Sequence, residues 1–273
     1  MARSFLRPSH GDVAQWQSAA FALRRLWVQV PSSPPLDKVR PCRILAGKVP
    51  ARNAVKIYVE NSFYHVYNRG VEKRAIFLDD QDYRTFLHFL EIYLSPSKSL
   101  ASPVLTRSDL VRPRPVRPID REVELLAYCL MPNHFHLLVR QVTKNGMTKL
   151  IRRIATVYAM YFNERNQRVG TLFQGKYKAV LLDSEEQLLH LSRYIHLNPV
   201  ELTRSDPLNY DYSSYGYYLG RKHADWINPK PVLSYFHSAV KGQGRIKGAS
   251  SYQDFVESYP EEPGELLGSL VLE

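Results

Sequence analysis

The chain has few of the features that define several large classes of protein. Only Cys42 and Cys129 occur, far apart and without CxxC spacing, so neither a disulfide framework nor a four-cysteine zinc site is available. No apolar run reaches the ~18 residues that a membrane-spanning helix requires, and the N-terminus lacks the ordered regions of a signal peptide. We therefore expect a soluble, cytoplasmic protein that does not insert into a membrane.

Acidic residues are scarce relative to basic ones. The 273 residues include 37 Lys and Arg against 26 Asp and Glu, which gives a formal charge of +11. Such an excess favours a polyphosphate partner, with nucleic acid first and an anionic membrane surface second. A hydrophobic fraction of 44% is enough for one core of ordinary size with appendages.

Composition divides the chain into three parts. Residues 1–54 have no sustained period, and residues 11–34 resemble a transfer RNA gene read as protein. We expect either a misassigned start, with the protein beginning near Val55, or a disordered basic arm. Residues 55–204 should form the main domain, interrupted by a long Ser-, Pro- and Arg-rich loop at 95–120. Residues 205–273 should form a small helical or irregular C-terminal appendage.

The patterning of the main domain predicts the order strand, helix, strand, strand, helix, strand, helix. The predicted strands are residues 63–68, 124–131, 134–141 and 176–182, and the predicted helices begin at Asp79, Met147 and Ser184. Pro199 is expected to end the last helix. This order predicts an α+β fold of the ferredoxin-like (RRM-like) type, an antiparallel sheet with helices packed on one face.

The run His134-Phe135-His136 is the strongest candidate site in the chain. A strand directs alternate side chains to the same face, so the two histidines can share one metal ion while Phe135 packs into the core. An imidazole pair with an oxygen ligand suits Mg²⁺ or Mn²⁺ acting on phosphate, although Zn²⁺ would bind more tightly. Asn198 is the expected third ligand, with His190 as its competitor.

Tyr194 lies four residues before Asn198, so a helix would present both side chains on one face. Leu188, Leu191 and Ile195 form the better core stripe of this helix, which leaves Tyr194 toward its edge. A phenol attacks phosphorus readily only when a metal or a base favours the phenolate. Tyr194 is therefore the candidate nucleophile, with an ordinary core aromatic residue as the alternative.

The chain between Lys144 and Lys178 is strongly basic and contains several aromatic residues. Interleaved cations and rings favour contact with phosphates and unpaired bases, whereas the alternative is a solvated surface. The candidate nucleic-acid-binding residues are Arg152, Arg153, Arg165, Arg168, Lys176, Tyr177 and Lys178.

Four segments, in this order, resemble the IS200/IS605-like single-tyrosine transposases of the HUH class, and among them the REP-associated tyrosine transposases. The segments are residues 63–70 (FYHVYNRG), 128–136 (YCLMPNHFH), 170–178 (GTLFQGKYK) and 194–200 (YIHLNPV). The resemblance spans residues 57–220 and implies a ferredoxin-like domain. It also implies that His134 and His136 bind the metal and that Tyr194 is the nucleophile. Asn198 stands where the family has a polar third ligand, which is Gln in some relatives.

The resemblance implies a reaction as well. With Mg²⁺ bound, Tyr194 would attack a phosphate in single-stranded DNA, form a 5′-phosphotyrosine bond and release a 3′-hydroxyl for later rejoining. The expected substrate is hairpin-forming DNA, specifically a REP-type palindrome, met by a monomer or homodimer at the nucleoid of a prokaryotic cell. Two alternatives stay open. One is a catalytically inactive RRM-like nucleic-acid binder, and the other is a zinc hydrolase in which Glu122, Glu124 or Asp183 reaches the metal.

Overall fold

A computed structural model describes residues 58–95, 117–203, 207, 210–237 and 251–258. The expectations for residues 1–54 lie outside the described residues, as does most of the segment 95–120. The expectation for residues 205–273 can be compared with the structure only in part.

The centre of the structure is a four-stranded antiparallel sheet. Its strands are β1 (Ser62–Arg69), β2 (Val123–Met131), β3 (His134–Gln141) and β4 (Lys178–Leu181). They lie in the order β2-β3-β1-β4, and β2 and β3 form the predicted hairpin, with Met131 opposite His134 across the two-residue turn. Helices α1 (Asp80–Leu94) and α2 (Gly146–Arg165) complete the order strand, helix, strand, strand, helix, strand. The predicted ferredoxin-like α+β fold is therefore confirmed.

Side-chain caps fix where two of the helices begin. Asp79 accepts a hydrogen bond from Asp82 N and starts α1 as predicted. Helix α3 (Glu185–Thr203) begins after Ser184, whose hydroxyl accepts from Gln187 N at 3.1 Å. The Gln187 side chain in turn accepts from Asp183 N at 2.8 Å, so two backbone N–H groups at the start of this helix have side-chain acceptors.

The prediction that Pro199 ends the last helix is wrong, because Pro199 lies inside α3. A proline has a φ close to the helical value, and what it lacks is the N–H that would bond to the carbonyl of Ile195. Ile195 and Leu191 are fully buried against the sheet, so packing holds the helix through this defect. Asn198 consequently lies within a regular helix instead of at its end.

The expectation of helices on one face of the sheet is also wrong. Helices α1 and α2 form one core with the first face, whereas α3 forms a second core with the opposite face. Strand alternation places Leu126 on the α3 side, and a β-bulge between Leu125 and Ala127 keeps Ala127 on that side as well, so β2 contributes apolar side chains to both cores. The sheet is thus covered by helices on both sides.

The described C-terminal elements are α4 (Tyr215–Tyr218), α5 (Lys230–His237) and α6 (Tyr252–Glu257). Tyr215 and Phe255 join the core on the α3 side, while Trp226 joins the other core. These elements are therefore packed against the main domain wherever the structure describes them. Within the described residues, no helix has the length and apolarity needed to cross a bilayer.

Candidate active site

A row of polar side chains crosses the middle of the sheet face that α3 covers. Strand alternation places His65, Tyr67 and Arg69 of β1 on this face, and the register puts Tyr67 opposite His136 and Arg69 opposite His134. Lys178 of β4 lies opposite Tyr67 on the other side of β1. The three strands therefore bring three histidines, a tyrosine and two cations onto one surface.

The two histidines of β3 are neighbours, as the strand alternation predicts. Their ring centroids are 4.8 Å apart, with the ring planes nearly perpendicular at 88°. His136 is fully buried, and His134, next to the turn, is half-buried. Phe135 points to the opposite face and packs against Phe86 in the first core. The sheet thus separates an apolar face from an imidazole face at this position.

Tyr194 of α3 packs directly onto the imidazoles. Its ring meets that of His136 edge-on at 5.5 Å and that of His65 edge-on at 6.4 Å. The residue is only 8% exposed and belongs to the second core, so it lies deeper than the helix edge at which the sequence placed it. The reason is that α3 itself covers the imidazole face, so that the side chain facing the histidines is also a buried one.

Asn198 lies one turn further along α3, next to His134. Burial lowers the pKa of His134, and a side-chain hydrogen bond with Asn198 opposes part of this shift. The side-chain nitrogen Nδ2 of Asn198 and atom Nε2 of His136 are both buried and have no hydrogen-bond partner. Buried polar atoms without partners are rare in folded proteins and mark a place where a ligand is expected.

His190, the competing third ligand, faces elsewhere. Its ring accepts a hydrogen bond from Arg193 at 2.5 Å, lies 3.9 Å from a carboxylate oxygen of Glu186 and packs edge-on against Phe255 of α6. The structure therefore brings Asn198, and not His190, to the histidine pair.

Burial keeps the imidazoles neutral. It lowers the pKa of His134 to about 4, with a smaller contribution in the same direction from Arg69. The pKa of His136 lies well below its ordinary value, first because of burial and then because of His65 and His134. Neutral imidazoles are the form that coordinates metal, so both side chains are ready as ligands at neutral pH.

The two histidines alone are too few to hold a divalent cation. A site requires Asn198 as a third protein ligand, with water or phosphate oxygen completing the coordination. Among the residues that the structure describes, no three His, Cys, Asp or Glu side chains are arranged to hold a metal ion. His134, His136 and Asn198 would supply two imidazole nitrogens and an amide oxygen, leaving positions for water or phosphate oxygen. The partnerless Nε2 of His136 supports this fit, whereas the partnerless Nδ2 of Asn198 is a donor that suits a water or phosphate oxygen.

Three residues at the site were not singled out in the sequence. His65 Nε2 and His136 Nδ1 share a buried hydrogen bond of 2.8 Å. The ring centroids of Tyr67 and His136 are 6.0 Å apart. The charge of Arg69 adds to the effect of burial in lowering the pKa of His134. Part of the signal was present, because residues 65 and 67 alternate in the predicted strand 63–68 and residue 69 directly follows it. What the sequence lacked was the pairing of β1 with β3, which decides that this face meets the histidines.

The basic residues predicted to bind nucleic acid divide into two groups. Lys178 is exposed on the imidazole face, with its ammonium 5.6 Å from the centre of the Tyr67 ring, and Lys176 is exposed just before β4. Tyr177 between them is half-buried and bonds through its hydroxyl to Thr148 at 2.9 Å. The two lysines therefore form the cationic border of the site.

The four arginines belong to α2 or the turn after it, on the other face of the sheet. Arg165 pairs with Asp79 and with the fully buried Asp82, at 2.5 Å in each case, so its guanidinium ties α2 to α1. Arg153 donates to the carbonyl of Arg117 at 2.8 Å, and Arg168 lies over the Phe162 ring. Arg152 is exposed on α2.

The carboxylates that a zinc hydrolase would need do not reach the histidines. Glu122 pairs with Lys149, and Glu124 lies opposite Arg140 at the far end of the hairpin from His134. Asp183 is exposed before α3. The structure thus gives no general base of this kind to the histidine pair.

The central part of the chain matches a known protein family. Residues 119–198 match the family model described as "Transposase IS200 like". This segment is similar to the IS200-like transposases. It contains both β3 histidines, Tyr194 and Asn198, so the resemblance drawn from short motifs is confirmed where these residues lie.

Two solved structures resemble the chain at low sequence identity. The REP-associated tyrosine transposase bound to a REP hairpin shares 15% identity over 65% of this chain and 92% of its own, with a TM-score of 0.46. A protein assigned as a transposase from Deinococcus radiodurans shares 16% identity over 53% of this chain and 95% of its own, with a TM-score of 0.31. No curated protein matches the chain.

Proposed function

We propose that this transposase domain cleaves and rejoins single-stranded, hairpin-forming DNA with Tyr194 as nucleophile and a divalent cation as cofactor. The observation that carries the proposal is the meeting of His134, His136, Tyr194 and Asn198 from two separate elements on one sheet face. The proposed setting is the nucleoid of a prokaryotic cell, with REP-like palindromes as substrate.

The residues have distinct parts in this reaction. His134, His136 and Asn198 would hold Mg²⁺ or Mn²⁺, which when bound polarises the scissile phosphate and favours the phenolate. The Tyr194 phenol loses its proton, and its oxygen bonds to phosphorus as the bond to the 3′ oxygen breaks. That 3′ oxygen takes up a proton and leaves as a hydroxyl. Attack of a 3′-hydroxyl on the phosphotyrosine reverses these changes and rejoins a strand, so no nucleotide cofactor is required.

The burial of Tyr194 sets a condition on the reaction. A ring that is 8% exposed and packed edge-on against two imidazoles has little surface to offer a phosphate. The phenol must therefore be uncovered when DNA binds, by a shift of α3 relative to the sheet. Such a step belongs to the movements that complete many active sites on binding.

Cations at the border of the site would guide the DNA backbone. Lys178 and Lys176 are exposed beside β4, and Arg69 lies opposite His134 at the end of β1. Contacts of this kind fix the position of phosphates and make affinity dependent on salt, while base sequence is read by other contacts.

An adduct assay tests the proposal. Wild-type protein incubated with an end-labelled REP-like hairpin and Mg²⁺ should give a denaturation-resistant protein–DNA species that EDTA prevents. Tyr194→Phe should abolish this species, because it removes the attacking oxygen and leaves the ring contacts in place.

Tyr67→Phe is the matched control, since Tyr67 is a second buried phenol beside His136. It should keep the adduct. An undiminished adduct in Tyr194→Phe, or its loss only in Tyr67→Phe, would reject Tyr194 as nucleophile. Hairpin binding that ignores EDTA, with no adduct in the wild type, would favour the inactive RRM-like binder.

A further inference from the structure

Arg69 is the last residue of β1 and lies beside the histidine pair. The strand register sets it opposite His134, and both residues belong to the sheet face that α3 covers. Burial is the main cause that lowers the pKa of His134, and the charge of Arg69 lowers it further. A phosphate bound at the histidines would therefore lie close to a positive charge that the sheet itself supplies.

Gln174 holds the Arg69 side chain in place. Arg69 Nε donates a hydrogen bond to Gln174 Oε1, and Gln174 N donates to the carbonyl of Arg69 at 2.8 Å. The segment that carries Gln174 is itself attached to the end of β1, because Phe173 forms an antiparallel bridge with Gly70. The guanidinium is thus oriented by the protein before DNA binds.

The group that accepts from Arg69 Nε is a neutral amide. A carboxylate in its place would offset the charge of the guanidinium, whereas an amide oxygen orients the group and adds no charge. The two terminal nitrogens of an arginine carry N–H donors in a planar fork that matches two oxygens of one phosphate. Arg69 differs in this respect from Lys178, whose ammonium is a point charge near the Tyr67 ring.

We propose that Arg69 is a catalytic residue that binds the non-bridging oxygens of the scissile phosphate as Tyr194 attacks, and that Gln174 is its positioning residue. The inference rests on the proposed tyrosine chemistry and deepens it. The bond from the phenolic oxygen to phosphorus forms and the bond to the 3′ oxygen breaks, while Arg69 keeps its protons and stabilises the charge on the other two oxygens. Loss of one donor that stabilises such charge commonly lowers a rate by roughly 100- to 1,000-fold.

The rate of adduct formation at saturating hairpin, measured in a single turnover with Mg²⁺, separates this role from simple attraction of DNA. Arg69→Gln should lower this rate roughly 100- to 1,000-fold, while the Kd of the hairpin in EDTA rises only several-fold. Arg69→Lys keeps the charge without the fork and should restore only part of the rate. Arg84→Gln is the matched control, at an arginine of α1 whose side chain is 76% exposed, and should change neither quantity.

A double-variant cycle tests whether Gln174 acts through Arg69. Gln174→Leu should lower the saturating rate by roughly 10-fold, because a small misplacement of a catalytic group is costly. Added to Arg69→Gln, it should lower the rate no further, since the group that it positions is already absent. An equal loss in both backgrounds would overturn the assignment of Gln174, because a residue that only supports the fold does not depend on Arg69.

The outcomes distinguish the inference from the proposed function. A wild-type adduct with an unchanged saturating rate in Arg69→Gln overturns the inference alone. A loss of adduct that disappears once the hairpin is saturating does the same, because Arg69 would then only attract DNA. Absence of any adduct in the wild type overturns the proposed tyrosine chemistry and the inference with it. Hairpin binding in EDTA shows that each variant has folded.

Discussion

The two faces of the sheet are built from the same strands and differ in what they bury. The face toward α1 and α2 has an apolar centre in which Phe86 contacts Phe77, Phe135 and Tyr158. The face toward α3 has three histidines at its centre, and His136 keeps a buried nitrogen without a partner. Burial of such atoms opposes folding, so the comparison separates a face that stabilises the fold from the face on which we propose the reaction takes place.

The largest effect is expected from a cavity in the apolar face. Phe86 is fully buried among three aromatic rings, so Phe86→Ala should lower the free energy of unfolding by about 3–5 kcal/mol. Urea unfolding followed by circular dichroism measures this loss. The control Leu78→Ala, at a side chain that is 57% exposed, should change it by less than about 0.5 kcal/mol. Equal effects of the two variants would contradict the assignment of this face.

Lowering the pH should destabilise the folded protein through the buried histidine His196 on the α3 side of the sheet. Burial lowers the pKa of His196 to about 3, although both of its ring nitrogens are hydrogen-bonded, to Tyr252 and Ser214 at 2.7 Å each. Because the folded-state pKa lies below the unfolded value of about 6.5, the unfolded chain binds the proton more tightly. Stability should thus be lost as pH falls from about 6.5 toward 3, by on the order of a few kcal/mol.

Unfolding midpoints in urea across this pH range check the expectation. His134 and His136 contribute in the same direction, because burial lowers their pKa as well. His196→Gln should therefore reduce the pH dependence without removing it. A slope in His196→Gln equal to that of the wild type would show that His196 is not a source of the acid sensitivity.

A smaller effect, on DNA binding, should distinguish the lysines beside β4 from the arginines of α2. Lys178→Ala should weaken binding of a REP-like hairpin several-fold and reduce the salt dependence by about one phosphate contact. Arg152→Ala, at an exposed position on the opposite face, should leave both unchanged. Fluorescence anisotropy over a series of salt concentrations measures both quantities. If Arg152→Ala weakened binding as much as Lys178→Ala, the DNA would contact the α2 face instead.

The smallest effect on stability is expected from making the imidazole face apolar. The double variant His65→Leu/His136→Leu removes both partners of one buried hydrogen bond, so the free energy of unfolding should change by less than about 1 kcal/mol. His136→Leu alone leaves its partner nitrogen unpaired and should cost about 1–3 kcal/mol. A double variant much less stable than the single one would mean that the imidazole face stabilises the fold.

Local signals in the sequence were sufficient for the strands, the helix starts and the fold. The caps at Asp79 and Ser184 and the alternation around Phe135 depend on residues close in the chain, and the structure confirms them. The side of the sheet on which α3 lies, the continuation of the helix through Pro199 and the depth of Tyr194 depend on tertiary packing. His65 was missed for the same reason, since its partner is 71 residues away in the chain.

The central claim is that Tyr194 forms the bond to DNA, and peptide mapping tests it most directly. Cleavage of the trapped adduct with nuclease and trypsin should leave a nucleotide on the peptide 194–204, which contains a single tyrosine. Mass spectrometry should find this addition on Tyr194 and on no other residue. A nucleotide on the peptide 57–69, which carries Tyr58, Tyr64 and Tyr67, would contradict the account.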